Sequence, residues 1–140
     1  MEQLAVEIVG LCREYGECRV EVERMEEARR VKNALESVCS MARQRLDISD
    51  PALLLALLDA CEVTRDEGML QEVLDVVGRN LARLAVSVES VKLLACCYYY
   101  VEEEECAERA RRMLEELRKM GRRIGGCGDN FGGIDLRFRL

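Results

Sequence analysis

The sequence predicts an all-α fold of six antiparallel helices in three helical hairpins, either a bundle or a short α-solenoid, with a short C-terminal strand-like tail. Apolar residues recur at steps of three and four through most of residues 1–124, whereas residues 134–140 alternate with a period of two. Apolar residues make up 49% and charged residues 34%, as in globular proteins. We therefore expect a helical domain at 1–124 and a connector with a tail at 125–140.

The first two helices are predicted from their apolar stripes. Helix 1 covers residues 2–15, and we expect Gly16 to end it because glycine readily adopts the left-handed conformation of a C-terminal cap. Helix 2 covers residues 22–46 as one element, roughly 40 Å long at 1.5 Å per residue. Its stripe has the spacing of a bundle or coiled-coil seam, with Ala28, Val31, Leu35, Val38 and Ala42.

Helix 3 begins at the clearest boundary in the chain. The side chain of Asp50 can cap the next helix, and Pro51 suits its first turn. The helix is expected to reach Arg65. Apolar residues cover nearly its whole circumference, which predicts a helix buried on several sides at the centre of the fold: Leu53, Leu54, Leu55, Leu57, Leu58 and Cys61.

Helices 4 to 6 follow after short connections, which make consecutive helices antiparallel neighbours. Gly68 separates helix 3 from helix 4, whose stripe runs from Leu70 to Leu84. Ser87 is the predicted cap of helix 5. A turn of four glutamates at 102–105 brings negative charge to the start of helix 6, where it is favourable. Helix 6 has another seam, with Ala110, Met113, Leu117, Met120 and Ile124.

The tail is different in character. Five glycines between residues 125 and 133 predict a flexible connector. In residues 134–140 apolar and charged side chains alternate, which predicts an amphipathic strand that needs a hydrogen-bonding partner. The partner is either residues 19–23, which also alternate, or a strand or groove on a second chain. The candidate partner contacts of the tail are Ile134, Leu136 and Phe138.

The third hairpin, residues 88–121, resembles a tetratricopeptide repeat. Four residues stand where that family places Leu, a small residue, Tyr and Ala: Leu94, Ala95, Tyr98 and Ala107. Arg111 stands where the family prefers an aromatic residue, and Leu114 where it prefers Ala. The resemblance implies stacked hairpins whose concave face binds a peptide.

The eight cysteines have no histidine beside them and no C-x2-4-C pair, so we expect no metal site. Most are expected to pack as small apolar side chains. The candidate disulfides join Cys12 to Cys18, and Cys96 or Cys97 to Cys106. Intracellular disulfides occur in hyperthermophiles, and the small number of Asn and Gln residues, six in all, agrees with a thermophilic source.

The residue types argue against enzymatic chemistry. Without histidine the chain lacks the usual general base of nucleophilic catalysis, and its glycine-rich segment lacks the G-K-[ST] of a phosphate loop. We predict that the chain is not an enzyme and holds no cofactor. The apolar run at 51–58 is shorter than the ~20 residues of a membrane span, and no signal-peptide pattern opens the sequence, so we expect a cytoplasmic protein.

The predicted function is a protein–protein interaction module or small assembly subunit that forms a homodimer through the tail or helix 2. Tyr99, within the cluster of three tyrosines at 98–100, is a further candidate contact. The alternative is a small helical subunit of a nucleoprotein complex. Its phosphate contacts would be the basic end of helix 6, with Arg118, Arg122 and Arg123. The net charge of −6 favours the first function.

Overall fold

The computed structural model describes the backbone of residues 2–123 and the side chains of residues 3–121. All regular structure in this part is helical, which confirms the all-α prediction. The connector and the strand-like tail, with Ile134, Leu136 and Phe138, lie outside the described residues. Residues 2–123 contain six α-helices, namely α1 (Glu2–Cys18), α2 (Met25–Arg43), α3 (Pro51–Thr64), α4 (Glu67–Arg79), α5 (Val88–Val101) and α6 (Glu104–Arg123).

Helix α3 lies at the centre of the helix packing. It contacts α1, α2, α4 and α5, while α1 also packs on α2 and α5 packs on α6. Half of its 14 residues are buried. This is expected, because a helix with apolar residues around its whole circumference packs against neighbours on several sides. The predicted grouping into three hairpins, and the choice between bundle and solenoid, stay predictions.

The core is almost entirely aliphatic. Its largest buried side chains come from all six helices, for example Ile8 in α1, Leu35 in α2, Leu57 in α3, Met69 in α4, Leu94 in α5 and Met113 in α6. They form one continuous cluster. Burial of this apolar surface is the main force that holds the helices together, since individual helices of this length are marginal in water.

Side-chain caps fix where three of the helices begin. Asp50 accepts a hydrogen bond from the backbone N–H of Leu53 at 3.2 Å, and Ser87 accepts one from Ser90 at 3.1 Å. Both caps were predicted. Asp66 caps α4 in the same way through Met69 at 3.0 Å. These bonds satisfy backbone donors that have no partner within the helix.

Helices α3 and α5 have the same length, and the residue that follows each of them has the same backbone conformation. Both contain 14 residues, and their first residues, Pro51 and Val88, are 37 positions apart. Both are followed by a non-glycine residue in the left-handed conformation, Arg65 with φ 60° and Glu102 with φ 52°. The starts of α4 and α6, at 67 and 104, repeat the interval of 37. A tetratricopeptide unit has about 34 residues, so this repetition is not evidence for that resemblance.

Two predicted boundaries at the N-terminal end are wrong. Gly16 lies inside α1, which continues to Cys18, because its backbone stays in the right-handed helical conformation that glycine is also free to adopt. The single long helix 2 is interrupted. Residues 22–24 form a 3-10 turn, and Arg24 has non-helical dihedral angles (φ −107°, ψ 17°), so α2 begins only at Met25. Residues 19–23 are therefore not a strand that could pair with the tail.

Helix α4 is shorter, and α6 starts earlier, than the apolar pattern predicts. The side-chain amide of Asn80 donates to the carbonyl oxygen of Val76 at 2.7 Å, a local bond that competes with continuation of the helix. Leu81–Arg83 form a separate 3-10 turn. Only residues 102 and 103 connect α5 with α6, since Glu104 already belongs to the first turn of α6.

Candidate functional site

One surface combines carboxylates, a thiol and two tyrosines on neighbouring helices. We name it the α3–α5 surface, and it consists of Asp59 and Glu62 from α3 with Cys96, Tyr99 and Tyr100 from α5. Burial raises the pKa of Cys96, and the charges of Asp59 and Glu62 raise it further. Burial followed by the charge of Glu62 raises the pKa of Tyr100. These couplings show that the two helices bring the groups together.

The two carboxylates of this surface have no cationic partner among the described residues. Asp59 is exposed, yet enough protein surrounds its carboxyl group that desolvation raises its pKa, and the charge of Glu62 raises it further. On its other side Asp59 lies near Cys12 of α1. A pair of negative charges of which one, Asp59, is partly desolvated attracts a cation more strongly than a fully solvated pair does.

The tyrosines add an aromatic face beside these charges. The side chain of Tyr99 is 72% exposed. Its ring meets that of half-buried Tyr100 edge to face, with centroids 5.2 Å apart and an interplanar angle of 83°. Carboxylates beside aromatic rings are suited to bind a guanidinium or ammonium group by charge and by cation–π attraction.

Sequence reasoning identified Tyr99 but missed Asp59 and Glu62. A signal for Asp59 was present, because it is the single charged residue between positions 51 and 61. A charge within an otherwise apolar helix has to reach solvent or a partner. Glu62 becomes part of the candidate site only because the packing of α3 against α5 brings it near Cys96 and Tyr100.

A separate groove of about 280 Å³ lies between α4 and the α5–α6 turn. We name it the α4 groove. Its rim carries the carboxylates Asp75 and Glu103, with Arg79 also present. Gly78 leaves it open on one side, since a Cβ atom there would meet nothing within 4 Å. Its apolar and thiol lining comes from Leu74, Val77, Cys97, Val101 and Cys106.

The predicted disulfides are not formed, and all seven described cysteines are free thiols. Because α1 extends to Cys18, that residue lies about 9 Å along the helix from Cys12, beyond the ~7 Å that a disulfide tolerates. Cys96 belongs to the α3–α5 surface. Cys97 and Cys106 both line the α4 groove as reduced thiols. They lie close enough that a charge on Cys106 raises the pKa of Cys97.

Three core cysteines have thiols of low reactivity. Burial raises the pKa of Cys12 and of Cys61 to about 12 and that of Cys39 to about 11. A thiol with such a pKa stays protonated at neutral pH and is a poor nucleophile. These side chains therefore act as small apolar groups in the core, as the sequence indicated for most cysteines.

The predicted phosphate contacts lie near the end of α6. Closer to its start, Arg111 pairs with Glu104 at 3.2 Å and Arg112 pairs with Glu108 at 3.3 Å. Arg118 is half-buried and interacts with the rest of the protein. The side chains of Arg122 and Arg123 lie outside the described residues. The described part of the basic end is thus Arg118 together with exposed Lys119.

No three or more of the described His, Cys, Asp and Glu side chains are grouped so as to hold a metal ion. None of the helices between positions 2 and 123 combines the length and apolar character that crossing a bilayer demands.

Comparison with known proteins assigns no family to this chain. No family model matches the sequence, and neither the curated proteins nor the solved structures include a significant match.

Proposed function

We propose that this chain is a non-enzymatic protein–protein interaction module that receives basic side chains of a partner on the α3–α5 surface. The observation that supports the proposal is the pair Asp59 and Glu62, which has no cation within the described residues and lies near Tyr100, whose ring meets that of exposed Tyr99. An arginine seated there gains charge-assisted hydrogen bonds from the carboxylates and cation–π attraction from the ring.

The helix arrangement that best serves this function is three stacked hairpins, α1 with α2, α3 with α4 and α5 with α6. The contacts within each of these pairs, and the contacts of α3 with both α1 and α5, support it. In this arrangement α1, α3 and α5 lie side by side, and Asp59 occupies the middle of their common face. A partner then meets a broad surface with the negative charge near its centre.

The simplest partner is a second copy of the chain. The basic end of α6, with exposed Lys119, offers a positive charge of the kind that the α3–α5 surface lacks among the described residues. In a dimer with twofold symmetry each such contact forms twice, because each copy presents both surfaces. The chain is thereby a self-associating subunit whose assembly weakens as salt rises.

Light scattering on the chromatographically purified full chain tests the proposal. We expect twice the chain mass of 15.9 kDa at low salt and a shift towards 15.9 kDa at high salt. The double variant Asp59→Lys/Glu62→Lys should be monomeric. The matched control Glu14→Lys/Glu17→Lys makes the same charge change with the same spacing on α1 and should keep the wild-type mass.

A charge swap makes the test specific. Adding Lys119→Glu to the monomeric double variant should restore dimers, because the attractive charges are then exchanged rather than lost. A wild-type chain that stays monomeric at every concentration and salt would reject self-association. A dimer that is indifferent to Asp59→Lys/Glu62→Lys would reject the α3–α5 surface as its interface.

The second candidate function, a subunit of a nucleoprotein complex, is supported by the basic end of α6. Fluorescence anisotropy with labelled RNA and DNA at two salt concentrations separates it from the first. Salt-sensitive binding that is lost in Arg118→Glu/Arg122→Glu/Arg123→Glu, and kept in Asp59→Lys/Glu62→Lys, would favour this alternative.

A further inference from the structure

The α4 groove is an open, partly apolar surface that the α3–α5 surface does not include. Val101 on its edge is 40% exposed, and Leu74 is half-buried. Gly78 adds no side chain to fill the space. A volume of about 280 Å³ accepts a few apolar side chains rather than a whole helix.

We infer that the α4 groove binds the C-terminal segment of the same chain, residues 134–140. The apolar side chains of this segment recur at every second position, so in an extended conformation they lie on one side and can enter a groove together. No other stretch of this sequence outside the described residues offers three such side chains in a row of alternating positions: Ile134, Leu136 and Phe138.

Charge complementarity supports the same occupant. The side chains of Arg137 and Arg139 outnumber the single carboxylate of Asp135. The groove has Asp75 and Glu103 on its rim against one cation, Arg79, and Glu103 belongs to a run of four exposed glutamates at 102–105. A basic segment is therefore attracted to this edge of the protein, and an acidic one is repelled.

The connector is long enough for binding within one chain. The end of α6 at Arg123 lies about 26 Å along the helix from Cys106, which lines the groove. The eleven links from Arg123 to Ile134, when extended, span up to roughly 36–40 Å. Their random-coil length is about 17–20 Å, so reaching back demands only a modest extension. A tethered segment has an effective concentration on the order of millimolar, which favours its own groove over that of a second copy.

Photo-cross-linking of the full chain tests this inference. With p-benzoylphenylalanine in place of Phe138, irradiation should cross-link the tail to residues 74–79 or 97–106 at the mass of one chain, mapped by peptide mass spectrometry. Gly78→Leu should lower the cross-link yield about tenfold, the effect of a loss near 1.4 kcal/mol in binding. The matched control Gly10→Leu fills a similarly open helical position on α1 and should leave the yield unchanged.

A second variant protects the test against a folding artefact. Val101→Lys changes an edge residue that is already partly exposed and should also lower the yield, while circular dichroism verifies the fold. Cross-links to other regions, cross-links at twice the chain mass, or equal yields in Gly78→Leu and Gly10→Leu would overturn the inference. None of these outcomes bears on the α3–α5 surface, whose residues do not line the groove.

Discussion

Replacing Arg65 and Glu102 by glycine should stabilise the protein, because both residues hold the left-handed conformation that ends α3 and α5. A residue with a Cβ atom loses about 1–2 kcal/mol in this conformation. Glycine avoids that cost but loses roughly 0.5–1 kcal/mol more in chain entropy on folding. At the midpoints of these ranges the net gain is about 0.75 kcal/mol at each position, and about 1.5 kcal/mol for the double variant if the two sites are independent.

Urea denaturation followed by circular dichroism measures this gain as a rise in the free energy of unfolding. For a chain of 140 residues each kcal/mol corresponds to about 3–4 °C in Tm, so the double variant should melt about 5–6 °C higher. The controls Arg65→Ala and Glu102→Ala keep a Cβ atom and should bring no comparable gain. Glycine variants no more stable than the alanine variants would refute the reasoning and the helix ends on which it depends.

Three further predictions concern single sites. Asp59→Asn should raise the free energy of unfolding at pH 7, because a carboxyl group with a raised pKa in the folded state destabilises folding once ionised. In pH-dependent urea melts the stability advantage of Asp59→Asn over the wild type should fade as the pH falls through the raised pKa towards the unfolded value of about 3.9. An advantage that persists below that pH would contradict this prediction. Leu57→Ala should cost about 2–5 kcal/mol by the same melts because Leu57 is fully buried, whereas exposed Val6→Ala should change stability by less than about 0.5 kcal/mol. Cys39 and Cys61 should react with iodoacetamide at pH 8 far more slowly in the native than in the urea-unfolded protein, and rapid native labelling of both would disprove their protection.

Local signals in the sequence predicted the starts of α3 and α5 well. Asp50 with Pro51, and Ser87, act within three or four residues of themselves, so no tertiary information is needed to place them. Helix ends were less predictable. Gly16 suits a C-terminal cap and a helix interior alike, and nothing near it in the sequence selects between them.

The apolar pattern also overestimated two helices. Leu81 and Leu84 continue the stripe of α4, yet the Asn80 side chain bonds to the backbone and a 3-10 turn follows. Hydrophobic spacing records which side chains face the core. It does not record whether the backbone between them stays in one continuous helix, since a turn can present the same side chains to the same core.

The candidate site could be predicted only in part for the same reason. Tyr99 was identifiable because a run of three tyrosines on a helix must expose at least one of them. The significance of Asp59 and Glu62 depends on what surrounds them, namely Cys96 and Tyr100 on a helix more than 30 positions away in the sequence.

By itself the sequence determined the helical class, the aliphatic core and two of the caps, because propensity, periodicity and capping act over a few neighbouring residues. Only the tertiary structure decided which helices α3 contacts, that Cys12 and Cys18 lie too far apart along α1 to bridge, and that the carboxylates of the α3–α5 surface lack a cation within the part of the chain that the structure describes. Desolvation and pairwise charge depend on distances through space, and the packing of the helices sets those distances.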